Sequence, residues 1–229
     1  MAIVERAKNI CLKPTAEWSV IATETTTPGG VITGYVVPLA AIGAVAGLIG
    51  RSLIGVTVPF IGSYRVPILA GLGTAIFTFV MAIVGVFVLS AIINALAPTF
   101  GAEKNSAQAF KVAAYSYTPA WIAGALQILP TLGMLAILAG FYGLYLLYLG
   151  LPRLMRCPPD KAISYTAVVV VCAIVLGIII SVIGGSIAGA GMMGAGGRYG
   201  MHARGGGPSA VQFDKDSPLG KLQALGAKM

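Results

Sequence analysis

The sequence predicts an all-α fold: a polytopic helical membrane bundle of five transmembrane helices behind a short amphipathic N-terminal region. Two observations carry this reading. Of 229 residues, 57% are hydrophobic and only 10% charged, whereas a soluble domain has about a quarter charged residues. Residues 66–100, 112–152 and 162–197 contain no Asp, Glu, Lys or Arg. Apolar runs this long exceed the roughly 18 residues that mark a spanning helix.

The first element is an amphipathic segment, residues 1–30. Ile3, Val4, Ala7, Ile10 and Cys11 fall on one helical face, and Glu5, Arg6, Lys8, Asn9 and Lys13 on the other. Pro14 ends that piece, and Thr15 is placed to cap a second short helix in which Trp18, Ile21 and Ala22 align. Such helices suit the membrane interface plane, or can equally pack on the protein's own loops.

A five-span membrane domain follows over residues 31–190. The breaker "TTTPGG" precedes a first span at about 31–49, halted by Arg51. The second span covers about 68–97, the third 112–129, the fourth 132–149 and the fifth 167–190. Only Pro130 and Thr131 separate spans three and four, so these form a tight antiparallel hairpin, because two residues cannot cross a membrane. With the N-terminus cytoplasmic, that side holds eight Lys and Arg against four opposite, leaving out the distal lysines Lys215, Lys221 and Lys228. The positive-inside rule therefore favours N-in. The tail, residues 191–229, is rich in Gly and short of aliphatics, so it is expected to be disordered.

Composition also excludes function classes. A net charge of +8 beside apolar spans reads as orientation and attraction to anionic headgroups, and no nucleic-acid binding is expected. Cys11, Cys157 and Cys172 share no ligand spacing, and the single histidine, His202, lies in the tail, so neither a metal site nor a disulfide framework is expected. The spans lack the buried titratable groups of relays and pumps, and no phosphate-cradling loop is present. No cofactor and no enzyme activity are expected.

Within the spans, Gly43 and Gly47 form one GxxxG pair, Gly185 and Gly189 another. Gly124 follows Ala120, and Gly140 follows Ala136, at the same spacing. Small faces of this kind let helix backbones approach closely in lipid. The polar residues include Asn94, Tyr115, Ser116, Tyr117, Thr118 and Gln127. They serve as interhelical hydrogen-bonding groups or line a cavity.

The ordered set "NICLKPTAEWSVIATE", "GYVVPLAAIG", "FKVAAYSYTPAWIAGALQILP" and "AGFYGLYLLYLGLPRLMRCPPDKAISYT" resembles the Yip1-domain family of five-span membrane proteins, its bacterial branch in particular. The resemblance covers roughly residues 5–190 and implies a cytoplasmic N-terminus and the inner (cytoplasmic) membrane. Eukaryotic relatives bind Rab-type GTPases and sibling proteins, and carry a longer N-terminal region with a "DLYGP" element. This chain lacks that element, so a Rab-type partner is not expected.

The third span supplies the candidate site. Pro119 removes a helix hydrogen bond and frees the carbonyl of Tyr115 for a neighbouring helix or a ligand. Lys111, Tyr115, Tyr117 and Pro119, on a kink facing the cytoplasm, with Asn94 of the second span, are thus the candidate partner-binding or cleft residues. The expected function is a non-enzymatic scaffold or adaptor that binds other integral membrane proteins, or itself, or organises membrane lipids. The alternative is a small permease or channel along the kinked third span.

Overall fold

The computed structural model describes residues 3–58, 62–129 and 132–199. Two ten-residue helices open the chain, α1 (Ile3–Leu12) and α2 (Pro14–Thr23). Pro14 stands at the first position of α2, where no intrahelical bond is lost. Thr15 therefore lies inside the helix rather than capping it.

The first span is a single rod from Pro28 to Ile54, longer at both ends than the apolar run suggests. It comprises α3 (Pro28–Val31), a π turn at Ile32–Val36, α4 (Val37–Leu48) and a second π turn at Ile49–Ile54. Thr27 caps it, its Oγ1 accepting from the Gly30 N–H at 3.2 Å, with Pro28 next in line. A short antiparallel ribbon, β1 (Val56–Val58) with β2 (Gly62–Tyr64), pairs Val56 opposite Tyr64. Elsewhere the fold is the expected all-α membrane bundle.

The second span, α5 (Ile68–Leu96), runs into a 3-10 turn at Ala97–Phe100 and stops at Gly101, whose φ of 70° suits glycine. Asn105 then caps α6 (Ser106–Ser116) by accepting from the Gln108 N–H at 3.1 Å. After Tyr117 come α7 (Thr118–Gly124) and a 3-10 turn at Ala125–Ile128. The fourth apolar run becomes α8 (Gly133–Leu154), and the last becomes α9 (Pro159–Tyr199).

Among the described residues four helices, not five, are long and apolar enough to cross a membrane: Pro28–Ile54, Ile68–Phe100, Ile137–Leu154 and Pro159–Ser186. The third expected span is divided at Tyr117, between α6 and α7. Pro119 cannot donate to the preceding turn, and it also biases Thr118 away from helical backbone. Pro130 and Thr131, where the tight hairpin was expected, lie outside the described residues, as do residues 200–229 of the tail.

Packing between spans depends on glycine in particular places. Helix α4 packs on α5 and α7, while α6 packs on α5 and α8. A Cβ added to Gly124 would lie 3.0 Å from the Gly43 Cα, and one on Gly47 would lie 3.1 Å from Gln127 Oε1. At Gly50 the added carbon would stand 2.0 Å from the Gln127 carbonyl oxygen. A Cβ added to Gly140 or Gly185 would meet nothing within 4 Å among the described residues. The surroundings of Gly189 lie outside the described residues.

Helix α9 packs on the bundle through Tyr165 and Val169 in its first turns and, farther along, through Ile180 near Gly85 and Gly184 near Phe77. Tyr165 donates to the Ile93 carbonyl at 2.5 Å and stacks on Phe100 at 5.1 Å. Beyond it Val171, Ile174, Val175, Ile178, Ile179 and Val182 are exposed.

Candidate functional site

Arg6, Glu17 and Lys111, all buried, gather at one end of the bundle, where α1 and α2 lie against α6, α7 and α8, whereas Ser52, Ser90 and Thr166 are buried elsewhere. Arg6 Nη1 donates to Glu17 Oε1 at 2.7 Å, and Nη2 donates to Glu24. Arg6 and Glu17 are both buried. The sequence pattern assigned Arg6 to the wet face and Val4 to the apolar one. The structure reverses them: Arg6 is 7% exposed and Val4 78%. The reason is that α2 brings two carboxylates to Arg6, and a buried charge is tolerated when it is paired.

Lys111 and Gln108 of α6 close the other side. Lys111 Nζ donates to the Ile21 carbonyl at 3.2 Å and to the Glu24 carbonyl, and Gln108 Nε2 donates to the Ala22 carbonyl at 3.1 Å. These are carbonyls at the end of α2, which have no partner within the helix itself. Tyr142 of α8 does the same for α1, donating to the Cys11 carbonyl at 2.7 Å. The C-terminal ends of both short helices are thus capped by the bundle, and a lysine also suits the negative end of a helix. Arg153 adds a bond to the Thr15 carbonyl.

Burial is the largest influence on both cations. It pulls Arg6 down, but the hydrogen bond and charge of Glu24, with Glu17, outweigh it and leave the guanidinium above its ordinary value. For Lys111 burial wins over the attraction of Glu24, and the ammonium sits below its ordinary value.

An aromatic column continues inward from this charged layer. The Arg6 guanidinium stands over the Tyr115 ring, 5.7 Å from its centroid. Tyr115 meets Trp18 edge-on at 6.4 Å and Tyr35 at 4.8 Å, and Tyr35 meets Trp121 at 6.3 Å. Tyr117 stacks on Trp121 at 6.0 Å. Trp18 has no exposed surface and lies against Gly150, where an added Cβ would fall 2.8 Å from the indole.

The break at Pro119 is resolved inside the chain. Thr118 Oγ1 donates to the Tyr115 carbonyl at 2.7 Å, and Tyr35, 2.8 Å from that hydroxyl, donates to it in turn. The Tyr115 carbonyl is met by a side chain three residues on, rather than by a ligand. Across the bend, Gly143 lets α8 approach closely: an added Cβ would be 2.8 Å from the Ser116 carbonyl oxygen.

Lys111, Tyr115, Tyr117 and Pro119 therefore share one region, but it is not an open cleft. Lys111 is 2% and Tyr115 5% exposed, because α1 and α2 cover them. Asn94 stands apart on α5. Its Oδ1 is buried without a hydrogen-bond partner among the described residues. Sequence reasoning missed the roles of Arg6, Glu17, Glu24 and Tyr35, whereas Thr118 stood among the polar span residues expected to hydrogen-bond. One signal was available: Glu17 and Glu24 fall two turns apart on one helical face, in a chain with only seven acidic residues.

Comparison with known proteins places these elements among relatives. The Yip1 domain model matches residues 8–182, from α1 into α9. Inner membrane protein YohC of Escherichia coli K12 is 27% identical over 157 residues, 67% of this chain and 80% of that protein. Inner membrane protein YohC of Escherichia coli O6:H1, strain CFT073, matches at the same identity and coverage. No solved structure matches.

Proposed function

The chain belongs to the Yip1 domain family, and from that premise we propose that it is a non-catalytic scaffold of a bacterial inner membrane. In this reading it binds other integral membrane proteins, or further copies of itself, through its lipid-facing helix surfaces, with the N-terminus cytoplasmic. The similarity to inner membrane protein YohC supports the location.

The observation that carries the reading is the contrast between its two polar and apolar surfaces. Arg6, Glu17, Glu24 and Lys111 are used in fastening α1 and α2 to the bundle. Catalysis and ion coupling both need titratable groups held ready for a substrate, and these four are engaged with one another or with backbone. The most hydrophobic spanning segment, Pro159–Ser186, has only 6% of its most apolar window buried. A helix so little covered by the described residues has most of its surface available to neighbours in the membrane.

A photo-crosslinking residue at Ile178, exposed on α9, tests this alongside solute flux in proteoliposomes. The expected result is a discrete protein adduct in native membranes and no flux above protein-free vesicles. Lipid adducts alone, together with saturable flux, would favour a permease instead.

A further inference from the structure

We propose that α1 and α2 form a releasable strap, which leaves the bundle to lie in an anionic membrane interface and so uncovers Lys111, Gln108 and Tyr115. Each helix has ten residues, too few to hold together alone in water. Their order is imposed by the bundle through the Tyr142, Gln108 and Lys111 caps.

Beside the buried Ile10, Trp18 and Ile21, the polar part of the fastening is incomplete. It takes Arg6, Glu17 and Lys111 out of water, and Glu24 in part, a cost that offsets much of their mutual attraction. Among the described residues, six buried side-chain atoms lack a hydrogen-bond partner, and three belong to this contact: Trp18 Nε1, Glu24 Oε2 and Gln108 Oε1. A contact that leaves both of its sides with unpaired polar atoms gains less from closure than one whose polar atoms are all paired.

The released strap has a destination. Ile10, Trp18 and Ile21, fully buried when docked, are the residues an interfacial helix would sink among acyl chains. Val4 and Leu12 are exposed already, 78% and 68%. Arg6, Lys8 and Lys13 would meet anionic headgroups. Residues Glu24–Thr27, between α2 and α3, are non-helical and supply the hinge.

The test uses the full chain with Trp121→Phe, leaving Trp18 as the sole tryptophan, in vesicles of phosphatidylcholine with or without phosphatidylglycerol. Lys111→Met and Glu24→Gln weaken the fastening. We expect quenching of Trp18 by brominated acyl chains to rise at least threefold in the weakened variant, and further with phosphatidylglycerol. Unchanged quenching, or a rise with water-borne acrylamide alone, would overturn the proposal. Hydrogen exchange on the unaltered chain gives a second reading that does not depend on a variant folding. Amides of α1 and α2 should exchange together at least tenfold faster than those of α6, and equal protection would sink the idea.

Discussion

The Arg6 guanidinium lies 5.7 Å above the Tyr115 ring while its two terminal nitrogens reach Glu17 and Glu24. One side chain thereby joins α1, α2 and α6. Removing one partner of a buried pair costs about 3–5 kcal/mol, because the other charge stays buried and unpaired. Arg6→Met should destabilise the protein by about that amount in a detergent-unfolding titration. Adding Glu17→Gln should recover part of the loss, since a neutral amide is cheaper to bury than a carboxylate. Strict additivity of the two changes would show that the pair is not coupled.

The glycine contacts predict an asymmetric outcome. Alanine at Gly124 would press on the Gly43 backbone at 3.0 Å, whereas alanine at Gly43 would meet the Gly124 Cα at 3.6 Å, an ordinary contact. Gly124→Ala should therefore cost about 1–3 kcal/mol, in the range of overpacking, and Gly50→Ala at least as much. Gly43→Ala, Gly140→Ala and Gly185→Ala should each stay within about 0.5 kcal/mol. Equal losses at Gly43 and Gly124 would contradict the packing described.

Those pairs mark the boundary of what was legible. Spans one, two, four and five follow from runs without charge, since only a helix satisfies its own backbone in lipid. The GxxxG at Gly43 and Gly47 was visible in the same way. Nothing local showed that Arg6 is buried, because its burial depends on carboxylates eleven and eighteen residues away. Nor did the apolar run over 112–129 reveal that Thr118 would hold the bend at Pro119. The pattern around Trp18 suited the interface plane and packing on the protein equally, and the place made by Gly150 is what turns the indole inward.

Lys111 gives the protein a pH dependence of known sign. Burial holds its pKa below the ordinary lysine value. Between the depressed and the ordinary value the unfolded chain binds more protons than the folded one, so stability rises with pH there. Below the depressed value the penalty on the buried ammonium is present in full. The unaltered protein should gain stability through that alkaline window relative to Lys111→Gln. Parallel curves for the two would assign the dependence to other groups.

Cys157 should react slowly with maleimides. It is 7% exposed, and burial, with the charge of Asp160, pushes its thiol up, so little thiolate forms. Asp160→Cys, at an exposed position beside it, should label much faster. In sealed spheroplasts that cysteine should respond to permeant reagents only, as an N-in orientation requires. Rapid reaction with an impermeant maleimide from outside would invert the topology.

The bend between α6 and α7 should depend more on Thr118 than on Pro119. Pro119 removes a donor from the helix, but the Tyr115 carbonyl already accepts from Thr118 Oγ1, and Tyr35 donates to the same hydroxyl. Pro119→Ala adds a backbone N–H and a good helix former, yet straightening would break the Thr118 bonds and draw Ser116 away from Gly143. The bend should persist, with stability changed by less than about 1 kcal/mol, the net worth of one hydrogen bond. Thr118→Val keeps the shape and deletes the hydroxyl, leaving the Tyr35 hydroxyl and the Tyr115 carbonyl buried without it. That should cost about 1–3 kcal/mol for each group left unpaired. Tyr35→Phe removes one of the two bonds and should cost less than Thr118→Val. Detergent unfolding of the three variants measures the order directly. If Pro119→Ala proves the most damaging, the proline ring itself sets the angle, and the hydroxyl chain only follows it.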